Sequence, residues 1–239
     1  MRKVLRRWTA IPETCEQSCD LHCLLGPGHL PRWPGQMADP LEGVKHEHYE
    51  TGETLCHRGV RCESIVSIRS GLVKLVDSSE DGLQRIVLLA GGGGDAICLE
   101  ALLDGSMPHD VVALRPTRIC RVPVALLRQI AETEPQLYLR LMSFWQRNLA
   151  YAQSCISQFS TGPIHARIAR LILFRANIER KRKPNEITLL NRQDMAAVLG
   201  VSQENISRCI AGFSRAKILR KIKRNVYFCD LPNLRDLAG

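Results

Sequence analysis

The apolar residues of this chain change from a strand to a helix period at Pro123, and that change limits the fold more than any other feature. Ahead of it lie short runs rich in β-branched residues: Ser64–Ser70, Leu72–Asp77, Gln84–Leu89, Val111–Leu114 and Thr117–Val122. They are separated by turn signals at Glu50–Glu53, Ser70-Gly71, Asp81-Gly82 and Gly91–Gly94, and strands this short and closely spaced predict an antiparallel barrel or sandwich. Beyond Pro123, Leu137, Leu141, Trp145, Leu149, Ala152, Ile156 and Phe159 recur at intervals of three or four, the period of an amphipathic helix. The fold class expected is therefore α+β, with the sheet first. A helix of that length exceeds about 30 Å at roughly 1.5 Å per residue and outruns a small domain. Leu141, Trp145, Leu149, Ala152 and Ile156 are accordingly the expected seam with a second copy of the chain, a core-facing stripe being the alternative. Gly162-Pro163 ends the helix.

Charge divides the chain near the same place. Residues 163–239 hold 16 Lys or Arg against 6 Asp or Glu, and residues 1–162 hold 17 against 18. A basic module joined to a neutral one suits a ligand with a phosphate backbone, a merely soluble basic face being the alternative. The start, MRKVLRRWTAIPETC, has no apolar run of signal-peptide length, and the uncharged stretch Asn148–Ala166 is too polar to span a bilayer. The expectation is a cytoplasmic protein with no membrane partner. In that reducing compartment the 10 cysteines are not expected to form structural disulfides, and metal, cluster or redox roles are open to some of them.

The segment RQDMAAVLGVSQENISRCIAG, Arg192 to Gly212, carries the pattern of a helix-turn-helix. Ala196 is small where two helices cross, Gly200 falls in the turn, and Ile206 and Cys209 are expected to face inward. Asn191 and Ser202 are suited to cap the two helices, because their side-chain oxygens accept orphan backbone N–H bonds. Gln203, Glu204, Ser207 and Arg208 form the polar outer face at the start of the second helix, where base edges are met. The following RKIKRNVYFCDL reads as two short strands around Arg224-Asn225. Together Arg192, Ser202, Gln203, Glu204, Ser207, Arg208, Lys223 and Arg224 make up the expected DNA-binding set.

These residues resemble the CRP/FNR family of bacterial transcription regulators, and the resemblance extends to YETGETLCHRGVRCESIVSIRSGLVKLV (Tyr49–Val76) and GGDAICLEALLDG in the barrel region. It implies four segments. They are a Cys-rich extension over 1–35, a jelly-roll sensor barrel of the cyclic-nucleotide-binding type over 36–130, a dimerisation helix over 131–161 and a winged helix-turn-helix over 163–239. It further implies a homodimer on a two-fold symmetric operator, with RNA polymerase as a partner. The Glu204, Ser207 and Arg208 set matches the Glu-x-x-Ser-Arg reading set of the FNR branch, which implies a TTGAT-like half-site.

Within the family, cyclic-AMP binders hold the phosphate with an Arg-Ser pair, where this chain has Pro108-His109. No cyclic nucleotide is expected. The FNR branch holds a 4Fe-4S cluster on cysteines of its extension and one of its barrel, and resemblance to it places Cys15, Cys19, Cys23 and Cys120 as ligands. The Cys-x3-Cys-x3-Cys spacing departs from that branch. On an uninterrupted helix Cys15 and Cys23 would stand about 12 Å apart, so the segment must bend around a cluster. Zinc or a thiol–disulfide site accepts the same four residues, and haem sensing is a further alternative. Cys56, Cys62, Cys98, Cys155, Cys209 and Cys229 read as small buried hydrophobes. No Ser-His-Asp order, P-loop or paired-carboxylate site is recognisable, so no enzyme is expected. The competing reading from another class is a small-ligand binding module whose helix-turn-helix contacts protein.

Overall fold

The computed structural model of the chain describes residues 43–79, 82–91, 95–178 and 185–239. The Cys-rich extension, with Cys15, Cys19 and Cys23, lies outside the described residues. The chain divides into two compact bodies, one containing the residues up to Asp77 with Leu88–Leu149, the other Ser78–Val87 with Ala150–Gly239.

Among the described residues the sheets of the barrel hold eight antiparallel strands, which lie in the first body apart from the end of β4 and the start of β5: β1 (Lys45–Tyr49), β2 (Thr54–Cys56), β3 (Ser64–Ser70), β4 (Leu72–Ser78), β5 (Gln84–Gly91), β6 (Asp95–Ile97), β7 (Asp110–Ala113) and β8 (Thr117–Pro123). They form two four-stranded sheets, ordered β1-β8-β3-β6 and β2-β7-β4-β5. The five strands foreseen from the apolar runs stand within two residues of their expected ends. β1, β2 and β6 were not foreseen, because three to five residues carrying polar side chains give alternation too few terms to be recognised. At the β3–β4 turn Gly71 has φ 99°, and a Cβ there would fall 2.6 Å from the Pro116 carbonyl oxygen, so only glycine closes this hairpin.

Two helices follow, α1 (Val124–Thr133) and α2 (Gln136–Ser154). Leu126, Leu127 and Ile130 of α1 and Leu137, Leu141 and Phe144 of α2 bury their side chains in one cluster with Ile65, Cys120 and Val122 of the sheet. Leu141 is only 2% exposed and so drops out of the expected partner seam. At roughly 1.5–3 kcal/mol for each large apolar side chain buried, this cluster is a main reason that α2 is a helix at all.

In the second body, a wider turn over Cys155–Phe159 with π-helical geometry follows α2. Phe159 closes it, 1% exposed and edge-on to Phe174 at 5.7 Å between ring centres. Phe174 belongs to α3 (Ile164–Ile178), which precedes β9 (Glu186–Thr188), α4 (Arg192–Leu199), α5 (Gln203–Arg215), β10 (Leu219–Lys223), β11 (Val226–Cys229) and α6 (Leu231–Ala238). The three strands form an antiparallel sheet in the order β10-β11-β9. Among the described residues no helix is long and apolar enough to cross a membrane.

Candidate DNA interface and sensor thiols

The reading head is made by local sequence chemistry. Asn191 Oδ1 accepts from the Asp194 backbone N–H at 2.7 Å while Asn191 Nδ2 donates to Asp194 Oδ2 at 2.7 Å. This reciprocal cap satisfies a donor that the first turn of α4 leaves without a helical partner. At the other end Gly200 adopts φ 64° and its N–H closes on the Ala196 carbonyl, a left-handed C-cap that glycine takes without steric penalty. Ser202 then caps α5 by accepting from the Asn205 N–H at 3.3 Å. Two helices are thereby ended and begun within three residues, which is the turn of a helix-turn-helix.

The inward face of α5 is Ile206, Ile210 and Phe213, all buried. Cys209, expected on that face, is only half-buried, and burial raises its thiol pKa; the i, i+4, i+7 line from Ile206 passes through Ile210 instead. Gln203, Glu204, Ser207 and Arg208 are all exposed on the opposite face. The Glu204 backbone N–H and the Ser202 hydroxyl hold the Glu204 carboxyl below its ordinary range, so it is an ionised acceptor at neutral pH. Arg192 is half-buried, with its guanidinium 3.4 Å from the Tyr227 hydroxyl of β11 and 3.9 Å from Met195 Sδ, which joins α4 to the strands. Lys223 and Arg224 are exposed at the β10–β11 turn, where Asn225 takes φ 60°.

In the first body Cys120 on β8 is fully buried on the sheet face covered by α1 and α2. Its Sγ lies 3.4 Å from Nδ1 of His46 on the neighbouring strand, and His46 itself is exposed. Of the four expected cluster ligands it alone is among the described residues. Nor is any group of three or more His, Cys, Asp or Glu among the described residues placed to hold a metal ion. Along α2, Trp145 and Leu149 are exposed and Ala152 is half-buried; Ile156, in the turn that follows, is 71% exposed. Tyr138 and Met142, not foreseen for this seam, are exposed as well. Tyr138, Met142, Trp145, Leu149 and Ala152 alternate steps of four and three, the spacing of a coiled-coil seam.

A second thiol group had no signal in the sequence. Cys56 Sγ lies 3.5 Å from Cys98 Sγ, across 42 residues of chain, and 3.7 Å from an Arg121 guanidinium nitrogen. That guanidinium also donates to both Glu47 carboxylate oxygens, to the Tyr49 hydroxyl and to the Leu55 carbonyl. Burial pushes the Glu47 carboxyl up, but Arg121 and Tyr49 outweigh it and leave the group below its ordinary value. Arg121 is thus bonded to four protein partners in this barrel.

A barrel followed by a winged helix-turn-helix with a capped, exposed reading helix defines a DNA-binding regulator. Residues 46–134 match the family model for the cyclic nucleotide-binding domain and residues 166–237 that for the Crp-like helix-turn-helix domain. The fumarate and nitrate reduction regulatory protein of Salmonella typhi is 28% identical over 208 residues, 84% of this chain and 82% of the relative. That of Escherichia coli K12 is 27% identical over the same span. The solved structure of FixK2 from Bradyrhizobium japonicum shares the fold with a TM-score of 0.74 at 19% identity, covering 82% of this chain and 98% of FixK2. The chain belongs to the CRP/FNR family of transcription regulators; it binds DNA and is not an enzyme.

Proposed function

We propose that this protein is an oxygen- or redox-responsive regulator that binds an inverted TTGAT-like repeat as a homodimer and engages RNA polymerase there. The observation that carries the DNA half is the exposed line of Glu204, Ser207 and Arg208 on a helix capped by Ser202. An arginine donates to guanine O6 and N7, an ionised glutamate accepts from a cytosine amino group, and a serine reaches a thymine or phosphate. Lys223 and Arg224 supply phosphate contacts from the wing, and Arg192 and Gln203 flank the reading line. The apolar line on α2, exposed and with no partner among the described residues, supports the dimer, since Tyr138, Met142, Trp145 and Leu149 invite the same face of a second copy.

For the sensor, Cys15, Cys19, Cys23 and Cys120 would hold a 4Fe-4S cluster. Cys120 fits that role in two respects: the polar group beside its thiol is the His46 imidazole rather than a carboxylate, and β1, which follows the extension in the chain, pairs directly with β8. Some 20 residues separate Cys23 from β1, ample reach at about 3.3 Å per residue. A bound cluster would supply oxygen-labile redox chemistry, and Cys120 would tie it to the core shared by β8, α1 and α2. Protein purified without oxygen should show a broad visible absorbance with iron and acid-labile sulfide near four each per chain. Serine at any of the four positions should remove it, and serine at Cys229 should not. Full iron content in Cys120→Ser protein would end the four-ligand assignment, and a selected operator without an inverted repeat would end the dimeric reading.

A further inference from the structure

We propose that Cys56 and Cys98 are a peroxide-oxidisable dithiol in the barrel, a modification site separate from the cysteines of the cluster. The two sulfurs are already in contact at 3.5 Å, and neither is in a disulfide. Their surroundings differ in the way that stepwise oxidation requires. Cys56 is half-buried on β2, an edge strand of its sheet, and an open depression between Glu47, His48 and Tyr49 of β1 and Glu53, Thr54 and His57 at β2 is lined by its sequence neighbours. Cys98 is buried, 3% exposed, at a left-handed φ of 58° between β6 and the short helix Leu99–Leu103.

Charge separates the pair further. The Cys98 thiol hydrogen-bonds to Cys56 and the Arg121 guanidinium lies beside it, and against the opposing effect of burial they bring the Cys56 thiol down to about 6. Cys98 is pushed strongly upward by its bonds to Cys56 and Cys62 together with burial, so it remains a thiol. Cys62 also hydrogen-bonds with Cys98 and is likewise lowered, but it is buried and donates weakly to the Val60 carbonyl at 3.9 Å. The nucleophile toward an incoming peroxide is therefore Cys56 and the resolving group is Cys98.

The chemistry balances with hydrogen peroxide or an organic hydroperoxide as oxidant. The Cys56 thiolate attacks one peroxide oxygen, the O–O bond breaks, and Cys56 becomes a sulfenic acid while the departing oxygen leaves as water or an alcohol after taking a proton. Cys98 sulfur then attacks Cys56 sulfur; the S–S bond forms, the S–O bond breaks, and the departing hydroxide takes the Cys98 proton as water. Two thiols lose two electrons and one peroxide gains them. The Sγ atoms close to about 2.05 Å, which links edge strand β2 to the segment carrying the short helix.

Full-length protein, reduced and freed of excess thiol under argon, would be treated with one equivalent of hydrogen peroxide and quenched with N-ethylmaleimide. Trypsin leaves Cys56 in 46–58, Cys62 in 62–69 and Cys98 in 86–118, so non-reducing mass spectrometry distinguishes every pairing. The expected product is 46–58 joined to 86–118, unchanged in Cys62→Ser protein and in protein with Cys15, Cys19 and Cys23 all changed to Ser. Cys98→Ser should stop at a sulfenic acid on Cys56 that dimedone traps. In wild type the rate of Cys56 alkylation by iodoacetamide should rise with pH through a midpoint near 6, and Arg121→Gln should move that midpoint upward. The proposal is overturned if Cys98 remains alkylatable after Cys56 is oxidised, if Cys62 takes either partner's place, or if tenfold excess peroxide leaves both thiols free. Loss of the cross-link in the triple-serine protein would equally overturn it by making the reaction the cluster's.

Discussion

The two faces of α2 differ by a rotation of only one residue. Leu137, Leu141 and Phe144 face the sheet and are at most 2% exposed; Tyr138, Met142, Trp145 and Leu149 face away and are between 41% and 66% exposed. Both lines are apolar, and both recur at three or four. The first is buried within the chain, and the second, apolar as well, has no partner among the described residues. Periodicity read from sequence merges the two into one stripe, which is why Leu141 was expected at the seam and Tyr138 and Met142 were not. Hydrophobic period identifies a helix, while its angular phase is decided by which neighbour arrives.

That difference can be broken at one position. Leu149→Glu places a charge in the outward line and leaves the inward line untouched, so the fold should survive while the dimer loses about 3 kcal/mol or more, the penalty of an uncompensated buried charge. Sedimentation should show a monomer with an unaltered circular-dichroism spectrum and much weaker operator binding. A dimer of normal affinity would show that the outward line is not the seam.

A smaller effect is expected on the exposed face of α5. Arg208→Ala removes a guanidinium that contributes nothing to the core, so stability should hold while binding falls by roughly 1–3 kcal/mol at a single guanine and specificity relaxes there. Binding measured across operators substituted one base at a time separates this from a general loss. An equal penalty on every sequence would make Arg208 a phosphate contact.

The two bodies also differ in how far the sequence reveals their sites. The head's chemistry is contiguous: cap, turn and reading line all fall between Asn191 and Arg208, and the rules linking Asn191, Gly200 and Ser202 to helix ends act over three or four residues. The departure from the sequence pattern is equally local: Ile210, and not Cys209, takes the inward position. In the barrel the decisive contacts join residues 42 and 65 positions apart, and nothing in the spacing of Cys56, Cys98 and Arg121 announces that a fold brings them together. Cysteines taken for small hydrophobes one by one acquire chemistry only through neighbours that pairing of distant strands supplies. The local rule can itself be tested, because Ser202→Ala removes the cap from α5 and should destabilise the second body by about 1 kcal/mol, whereas Ser202→Gly should recover most of it. Thermal unfolding of the two variants would check this, and equal losses in both would mean that the hydroxyl acts elsewhere.

The smallest effect belongs to the wing, and it separates positioning from reading within one interface. Lys223 is exposed beside a turn whose backbone is fixed by Asn225 at φ 60° and by β10–β11 pairing, so alanine there changes charge and little else. A cation that neutralises one phosphate releases about 0.9 counterion, and Lys223→Ala should reduce the slope of log affinity against log salt by about one. Because a phosphate carries no base identity, that loss should be the same on every operator variant that distinguishes Arg208→Ala from wild type. The slope is measured by titrating fluorescent operator DNA at several salt concentrations. An unchanged slope would place the wing away from the backbone, and a sequence-dependent loss would make Lys223 a reader of bases rather than a clamp on phosphates.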